Sequence, residues 1–252
     1  MSEAKHPVRT TETTLSIIEE LKTARIGGVT EIADSLGLAK SAVHNHLNTL
    51  RNHGYVVKEG SQYRLSLKFL EVGGYMRHQM ELFKTAEPQI DWLADQTDEL
   101  ANLLVEEHGE GVYLYRSKGE EGLDYDTFAG KRKYLHATSL GKAILAFLDE
   151  ERLDAIIDRH GLPEVTENTI TDREALDEEL GEIRTEGVAF DDGEATPGVR
   201  CVAAPVRSDE RVLGSISISA PTNRMRGDRF TETVPDKVRR AANVIELNIK
   251  YP

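Results

Sequence analysis

The chain has 252 residues, of which 39% are hydrophobic, and carries a formal net charge of −13. That length gives room for two domains of ordinary size. No apolar run approaches the ~18 to 20 residues of a membrane span, the opening MSEAKHPVRTTETT has no signal-peptide core, and Cys201 is the single cysteine. A cytoplasmic protein with no intrachain disulfide and no membrane partner is therefore expected.

The acidity is unevenly spread. Residues 1–85 hold 11 basic against 9 acidic side chains, together with five of the eight histidines, whereas the remainder holds 20 against 35. Charge is screened beyond about 8 Å at physiological salt. An acidic second half therefore does not prevent the first half from meeting an anionic partner.

In chain order, Thr11 to Ala24 predicts a helix with Leu15, Ile18 and Leu21 on one face. Thr30 to Leu50, TEIADSLGLAKSAVHNHLNTL, holds two short helical patterns broken at Leu36-Gly37-Leu38. Ile32, Ala33 and Leu36 form one apolar face, and Val43, Leu47 and Leu50 form a second. Thr30 is placed to cap the first helix, and Gly37 supplies the tight turn of a helix-turn-helix. The second helix carries Lys40, Ser41, His44, Asn45 and Asn48 away from its apolar stripe, as donors suited to phosphates and base edges. Two β-prone runs flank Glu59-Gly60-Ser61, a hairpin that makes the unit a winged helix. In that wing Lys58 and Arg64, like Lys40, would position phosphates, while Asn45 would pair with adenine, the alternative being a merely solvated helix face. The expected partner is double-stranded DNA.

Ser66 to Lys84 predicts one linking helix, with Pro88 near its end. The domain boundary is accordingly placed close to residue 85: residues 1–66 bind DNA, 67–85 link, and 86–252 form the second domain. Ile90 to Leu100 predicts a helix, and Ala101–Val105 with Gly111–Arg116 an antiparallel pair. Helices follow at Gly141 to Leu148 and Glu150 to Arg159. Thr171-Asp172-Arg173-Glu174 reads as a capping box opening another helix to about Glu186. Val188 to Phe190, Cys201 to Val206 and Val212 to Ser219 read as strands, and Pro235 to Asn248 as a closing amphipathic helix. The pattern is α+β, an antiparallel sheet flanked by helices.

Leu135-His136-Ala137-Thr138-Ser139-Leu140-Gly141-Lys142-Ala143-Ile144-Leu145-Ala146 resembles a characteristic segment of the IclR family of transcriptional regulators. The blocks Glu186–Asp192, Gly198–Val206 and Ser215–Pro221 resemble its later segments in the same order. The resemblance covers essentially the whole chain. It implies a winged helix, a linker helix and a GAF-like effector-binding domain. It further implies dimers, sometimes paired into tetramers, on a pseudo-palindromic operator. The acidic composition is similar to that of haloarchaeal members. The chain departs from the family at Ala42 and at Asn45, where a hydroxyl residue and an arginine are common.

Positions matching the family's pocket for a small organic acid or aromatic metabolite are Ser139, Leu140, Asp191, Cys201, Ser217 and Ser219. Local chemistry agrees. Ser217 and Ser219 alternate along a strand and share a face, and Ser139 and Leu140 precede a helix whose first N–H groups favour an anion. Against this, strand serines can face solvent and a lone cysteine can be core. Asp191 would accept from a hydroxyl or ring N–H, or hold Lys142 or Arg200. His136 either orients the site or is a satisfied core histidine. Cys201 with His136 and Asp191 would suit a nucleophile or zinc, but no CxxC, HExxH or GxSxG accompanies them. No catalytic residue, metal or cofactor is therefore expected. The competing reading is a second domain that serves only oligomerisation or protein contact.

Overall fold

The computed structural model describes residues 6–124, 127–209 and 211–251. It divides into two compact units, residues 1–76 and 77–252.

The first unit opens with α1 (Arg9–Ala24), a two-residue strand β1 (Gly27–Gly28), α2 (Val29–Leu36) and α3 (Lys40–Asn52). Two strands follow, β2 (Val56–Glu59) and β3 (Gln62–Leu65). Gly37 is left-handed at φ 65° and ends α2, a conformation that glycine adopts without steric cost. Val43, Leu47 and Leu50 of α3 meet Ile32, Ala33, Ile17 and Leu21 in one core. Two local expectations are corrected. Leu15 is exposed and Ile17 takes the buried position on α1. Thr30 lies inside α2, whose N-cap is Gly28; the backbone N–H of Gly28 donates to Glu31 Oε2 at 2.8 Å. Strand β3 pairs with both β2 and the unforeseen β1. Glu59 faces Gln62 across a two-residue turn in which Gly60 has φ 62°.

The expected single linking helix is interrupted at Met80. Helix α4 (Lys68–Gln79) has no buried residue, whereas α5 (Glu81–Thr97) buries Leu82, Phe83, Ala86, Ile90, Leu93, Ala94 and Thr97. Pro88 does not end a helix, because it lies inside α5. A proline here removes the bond to the carbonyl four residues back, but Lys84 and Pro88 are both exposed. Water can serve that carbonyl while the buried face carries the helix through.

The second unit is built on a six-stranded antiparallel sheet. Its strands are β4 (Leu100–Glu107), β5 (Glu110–Lys118), β6 (Arg132–Tyr134), β7 (Ala189–Asp192), β8 (Val199–Arg207) and β9 (Val212–Pro221). Their order is β6-β5-β4-β9-β8-β7. One face packs on α5 and the closing helix α9 (Val234–Lys250), and the other on α6 (Ser139–Leu145). Helices α7 (Glu150–His160) and α8 (Arg173–Glu186) complete that second layer. Asp172, not Thr171, caps α8, its side chain accepting Ala175 N–H.

Strand alternation sorts the chemistry. Ala101, Leu103, Val202, Ala204, Ile216 and Ile218 join the core beneath α5 and α9. The intervening Asn102, Cys201, Ser217 and Ser219 therefore face the α6 side. Among the described residues no helix is long and apolar enough to cross a membrane.

Candidate functional site

Two sites were expected, and each is assembled within one unit. On α3, Lys40, Ser41, His44 and Asn45 are exposed and Asn48 is half-buried. Their spacing keeps them on the surface opposite Val43, Leu47 and Leu50. Asn48 Nδ2 lies 3.2 Å from His44 Nδ1, which orders the two side chains. His44 and exposed Lys58 line one groove with Thr30, Ser61 and Gln62, so the wing and the recognition helix share a surface. Lys58 Nζ stands 5.7 Å from the Tyr63 ring centre. Arg64 donates to Glu59 Oε1 at 2.6 Å and to Leu65 O at 3.2 Å. An exposed pair of this kind contributes about 0 to 1 kcal/mol, a hold that a phosphate can displace.

The six residues expected to bind an effector all line one cavity in the second unit. Register explains how. Asp191 pairs with Cys201 and Cys201 with Ser219 across β7, β8 and β9, while Ser217 pairs with Asn102 of β4. Ser139 and Leu140 close the cavity from the start of α6. There the Thr138 hydroxyl accepts Gly141 N–H at 2.9 Å, and Ser215 donates to Leu140 O at 2.8 Å. The cavity is tight, about 20 Å³ in volume. That is the space about one water molecule needs, so a larger guest must spread the walls. A wider groove carrying Arg132, Lys133, Tyr134 and Val165 adjoins it, sharing Thr138 and Ala195.

The sequence reading missed Asn102, Tyr113, Thr138 and Thr196, which also line the cavity. Only Asn102 left a signal, as an amide within the otherwise apolar run Leu100–Val105. It is 2% exposed, and its Nδ2 lies 3.4 Å from the hydroxyls of both Ser217 and Ser219.

Asp191 holds neither of its anticipated cations. Arg200 is bonded through two nitrogens to Asp192, each at 2.7 Å. Lys142, 1% exposed, donates to Glu194 Oε1 at 2.6 Å and Glu179 Oε1 at 2.8 Å. The Asp191 carboxylate instead accepts the N–H groups of Glu194 and Ala195. Burial pushes its pKa up to about 6, against the pull of those N–H groups and of Lys142. Glu194 is pushed up to about 7, by burial first, with Lys142 opposing. The Cys201 thiol is raised well above its ordinary value, by burial first and the Asp191 charge second. It is therefore held neutral, unlike an activated thiolate.

His136 takes the second of its two readings. It is buried, with Nε2 3.1 Å from Pro163 O, and it does not line the cavity. Burial lowers its pKa. Cys201 and Asp191 are hydrogen-bonded to each other, but His136 lies outside the cavity they line, so the three form no joint constellation. Among the described residues no group of three or more His, Cys, Asp or Glu side chains is arranged to hold a metal.

Comparison with known proteins adds an independent line. Residues 10–60 match the IclR helix-turn-helix domain, and residues 75–247 match the bacterial transcriptional regulator IclR C-terminal domain. The probable HTH-type transcriptional regulator ArcR of Halobacterium salinarum is 34% identical, over 94% of this chain and 92% of its own length. The regulator XynR of Escherichia coli is 32% identical, over 89% and 90%. The crystal structure of Thermotoga maritima IclR aligns with a TM-score of 0.78 at 26% identity, covering 96% of this chain and 98% of that one. An IclR homologue from Microbacterium hydrocarbonoxydans, complexed with 4-hydroxybenzoate, shares the fold with a TM-score of 0.83 at 23% identity, over 96% and 100%. With both domains matched in order and relatives aligned along nearly the whole chain, the protein belongs to the IclR family of transcriptional regulators.

Proposed function

We propose that this regulator is switched by a small organic or aromatic metabolite held in the cavity formed by Ser139, Leu140, Asp191, Cys201, Ser217 and Ser219. The observation that carries the reading is the convergence of all six side chains, from α6 and three strands, on one tight cavity. A domain serving only for contact with other proteins has no use for a buried wall of hydroxyls, a thiol and a carboxylate. The resemblance to a homologue complexed with 4-hydroxybenzoate makes that compound the first probe.

On the DNA side, Asn45, His44, Ser41 and Asn48 read base edges, and Lys40, Lys58 and Arg64 hold phosphates. The protein acts in the cytoplasm as a dimer or higher oligomer on a pseudo-palindromic operator. Exposed Val72, Tyr75 and Met76 on α4 support the self-association. It works as a switch and not as an enzyme, a reading supported by the neutral thiol and by His136 lying outside the cavity lining.

An effector changes DNA binding only through a difference in its affinity for the two states of the protein. A coupling of about 1 to 3 kcal/mol alters occupancy roughly 5- to 150-fold, and it is reciprocal. The test uses the full-length protein. Effector titrations are made with and without an operator fragment selected from genomic DNA. The apparent effector affinity must change by the factor by which effector changes operator affinity. Identical effector affinities in the two titrations would remove the switch, and equal binding to operator and bulk competitor DNA would remove the regulator.

A further inference from the structure

We infer that Asn102 is a specificity-determining residue of the cavity, and that it selects a ligand whose inserted end is a hydrogen-bond donor such as a hydroxyl group. The inference rests on the effector-site reading above and adds the chemical class of what enters. Asn102 Oδ1 is one of three buried side-chain polar atoms that lack a hydrogen-bond partner among the described residues, with Thr127 Oγ1 and Glu194 Oε2. Native proteins leave few such atoms, and each calls for an explanation, a water molecule or a ligand among them. The Nδ2 end of the same amide is turned to Ser217 and Ser219, and Oδ1 is left as a buried, unpartnered acceptor on a residue of the lining, reached by a ligand that spreads the walls.

The surrounding charges point the same way. Asp191 is the one charged side chain among the lining residues, and Lys142, the cation behind it, is held by Glu179 and Glu194. A carboxylate pushed in first would meet Asp191 and a carbonyl oxygen. A hydroxyl group would instead donate to Oδ1 or to Asp191. A carboxylate at the other end of the same molecule would lie towards the adjoining groove of Glu110, Arg132 and Lys133, where it would compete with Glu107 and Glu110 for Arg132.

The experiment compares pairs of nearly equal size that differ in donation. 4-Hydroxybenzoate is set against 4-fluorobenzoate, and lactate against 2-fluoropropanoate, by calorimetry on the full-length protein at millimolar ligand. The wild type is expected to favour the hydroxyl member of a binding pair about tenfold or more, because a site built to accept a hydroxyl rejects its non-donating analogue. Asn102→Leu, of similar volume, should bring the two members to within about twofold while still binding the fluoro compound. Ser219→Phe, which fills the cavity, should abolish all binding.

Equal wild-type affinities, with binding still lost in Ser219→Phe, would overturn the donor inference and leave the effector site standing. A preference that survives Asn102→Leu would remove Asn102 from the selection. Should Asn102→Leu fail to fold, the wild-type pairs alone decide the ligand class. Binding unchanged in Ser219→Phe, or no binding by any probe, would overturn the effector-site reading together with the inference.

Discussion

The carboxylate of Asp191 accepts the backbone N–H of Glu194 at 2.7 Å. Glu194 in turn holds Lys142 of α6, and Lys142 reaches Glu179 of α8. The cavity wall is thereby tied through charged, mostly buried groups to two helices of the outer layer. A ligand of the proposed kind that drew on Asp191 would pull on this chain of contacts, which gives its occupancy a physical route to α6 and α8.

The first prediction concerns Glu194, whose pKa is raised from 4.5 to about 7, chiefly by burial. A carboxyl group with a raised folded-state pKa binds its proton more tightly in the native state. Its contribution is full below the unfolded value, near 4.5, and is lost as pH rises through about 7. Glu194→Gln removes that titration. Relative to the variant, the wild type should be more stable by about 2 kcal/mol at roughly pH 5 than at roughly pH 7.5. Urea denaturation of both proteins across this window measures it. Parallel pH profiles would show that Glu194 does not carry the proton.

A second prediction contrasts two glycines. A Cβ on Gly141 would lie 2.0 Å from Leu135 O and 2.4 Å from Leu135 Cα, both backbone atoms. No rotamer relieves that clash. Gly141→Ala should therefore cost about 3 kcal/mol and displace Ser139 and Leu140 from the cavity. Gly181, within α8, has nothing within 4 Å of the same added atom. There the substitution should stabilise by roughly 0.5 to 1 kcal/mol, because alanine is the better helix former. Denaturation midpoints of the two variants give the test, and equal shifts would refute it.

These contacts also show how far the sequence could be read. The helix-turn-helix was legible because Gly37 and the Val43, Leu47, Leu50 spacing are local signals. Ser217 and Ser219 were legible as one face because strand periodicity is local too. Asn102 was not assignable, since the register that carries it to Ser217 spans 115 residues. The true partners of Lys142 and Arg200 were hidden for a related reason. Several acidic residues cluster near residue 192, and only the turn at Gly193 decides which side chain points inward. Burial along α5 overrode the helix-ending signal of Pro88. Leu15 stayed out while Ile17 went in because the packing of three helices, not the stripe of one, sets the buried arc.

The third prediction separates readers from holders on the DNA surface. Asn45→Ala should cost about 1 to 3 kcal/mol on operator DNA and little on random DNA, since only base contacts carry sequence information. Lys58→Ala should weaken both and lower the salt dependence of binding by about one phosphate contact. Glu59→Gln frees the Arg64 guanidinium from its 2.6 Å pair and should raise affinity for all duplexes. Anisotropy titrations over a range of salt distinguish these outcomes. Equal losses on both DNAs for Asn45→Ala would end its reading role.

The last prediction concerns α4. This 12-residue helix buries nothing, and it contains Gly73 and Gly74. In isolation so short a helix is marginal, and each glycine lowers its propensity further. Its first turn is anchored by Phe69, whose ring packs edge-on against Tyr55 at 5.2 Å. Beyond that point Val72, Tyr75 and Met76 stand at i, i+3 and i+4 and share one exposed apolar face. Covering that face with the same helix of a second copy would order both and set the distance between two recognition helices. Tyr75→Glu places a carboxylate in the proposed seam. It should shift the protein to a smaller species in sedimentation while leaving the winged-helix core intact. Operator affinity should then fall by about a hundredfold or more, because two half-sites are no longer engaged together. An unchanged sedimentation coefficient with unchanged operator affinity would show that α4 is not the seam.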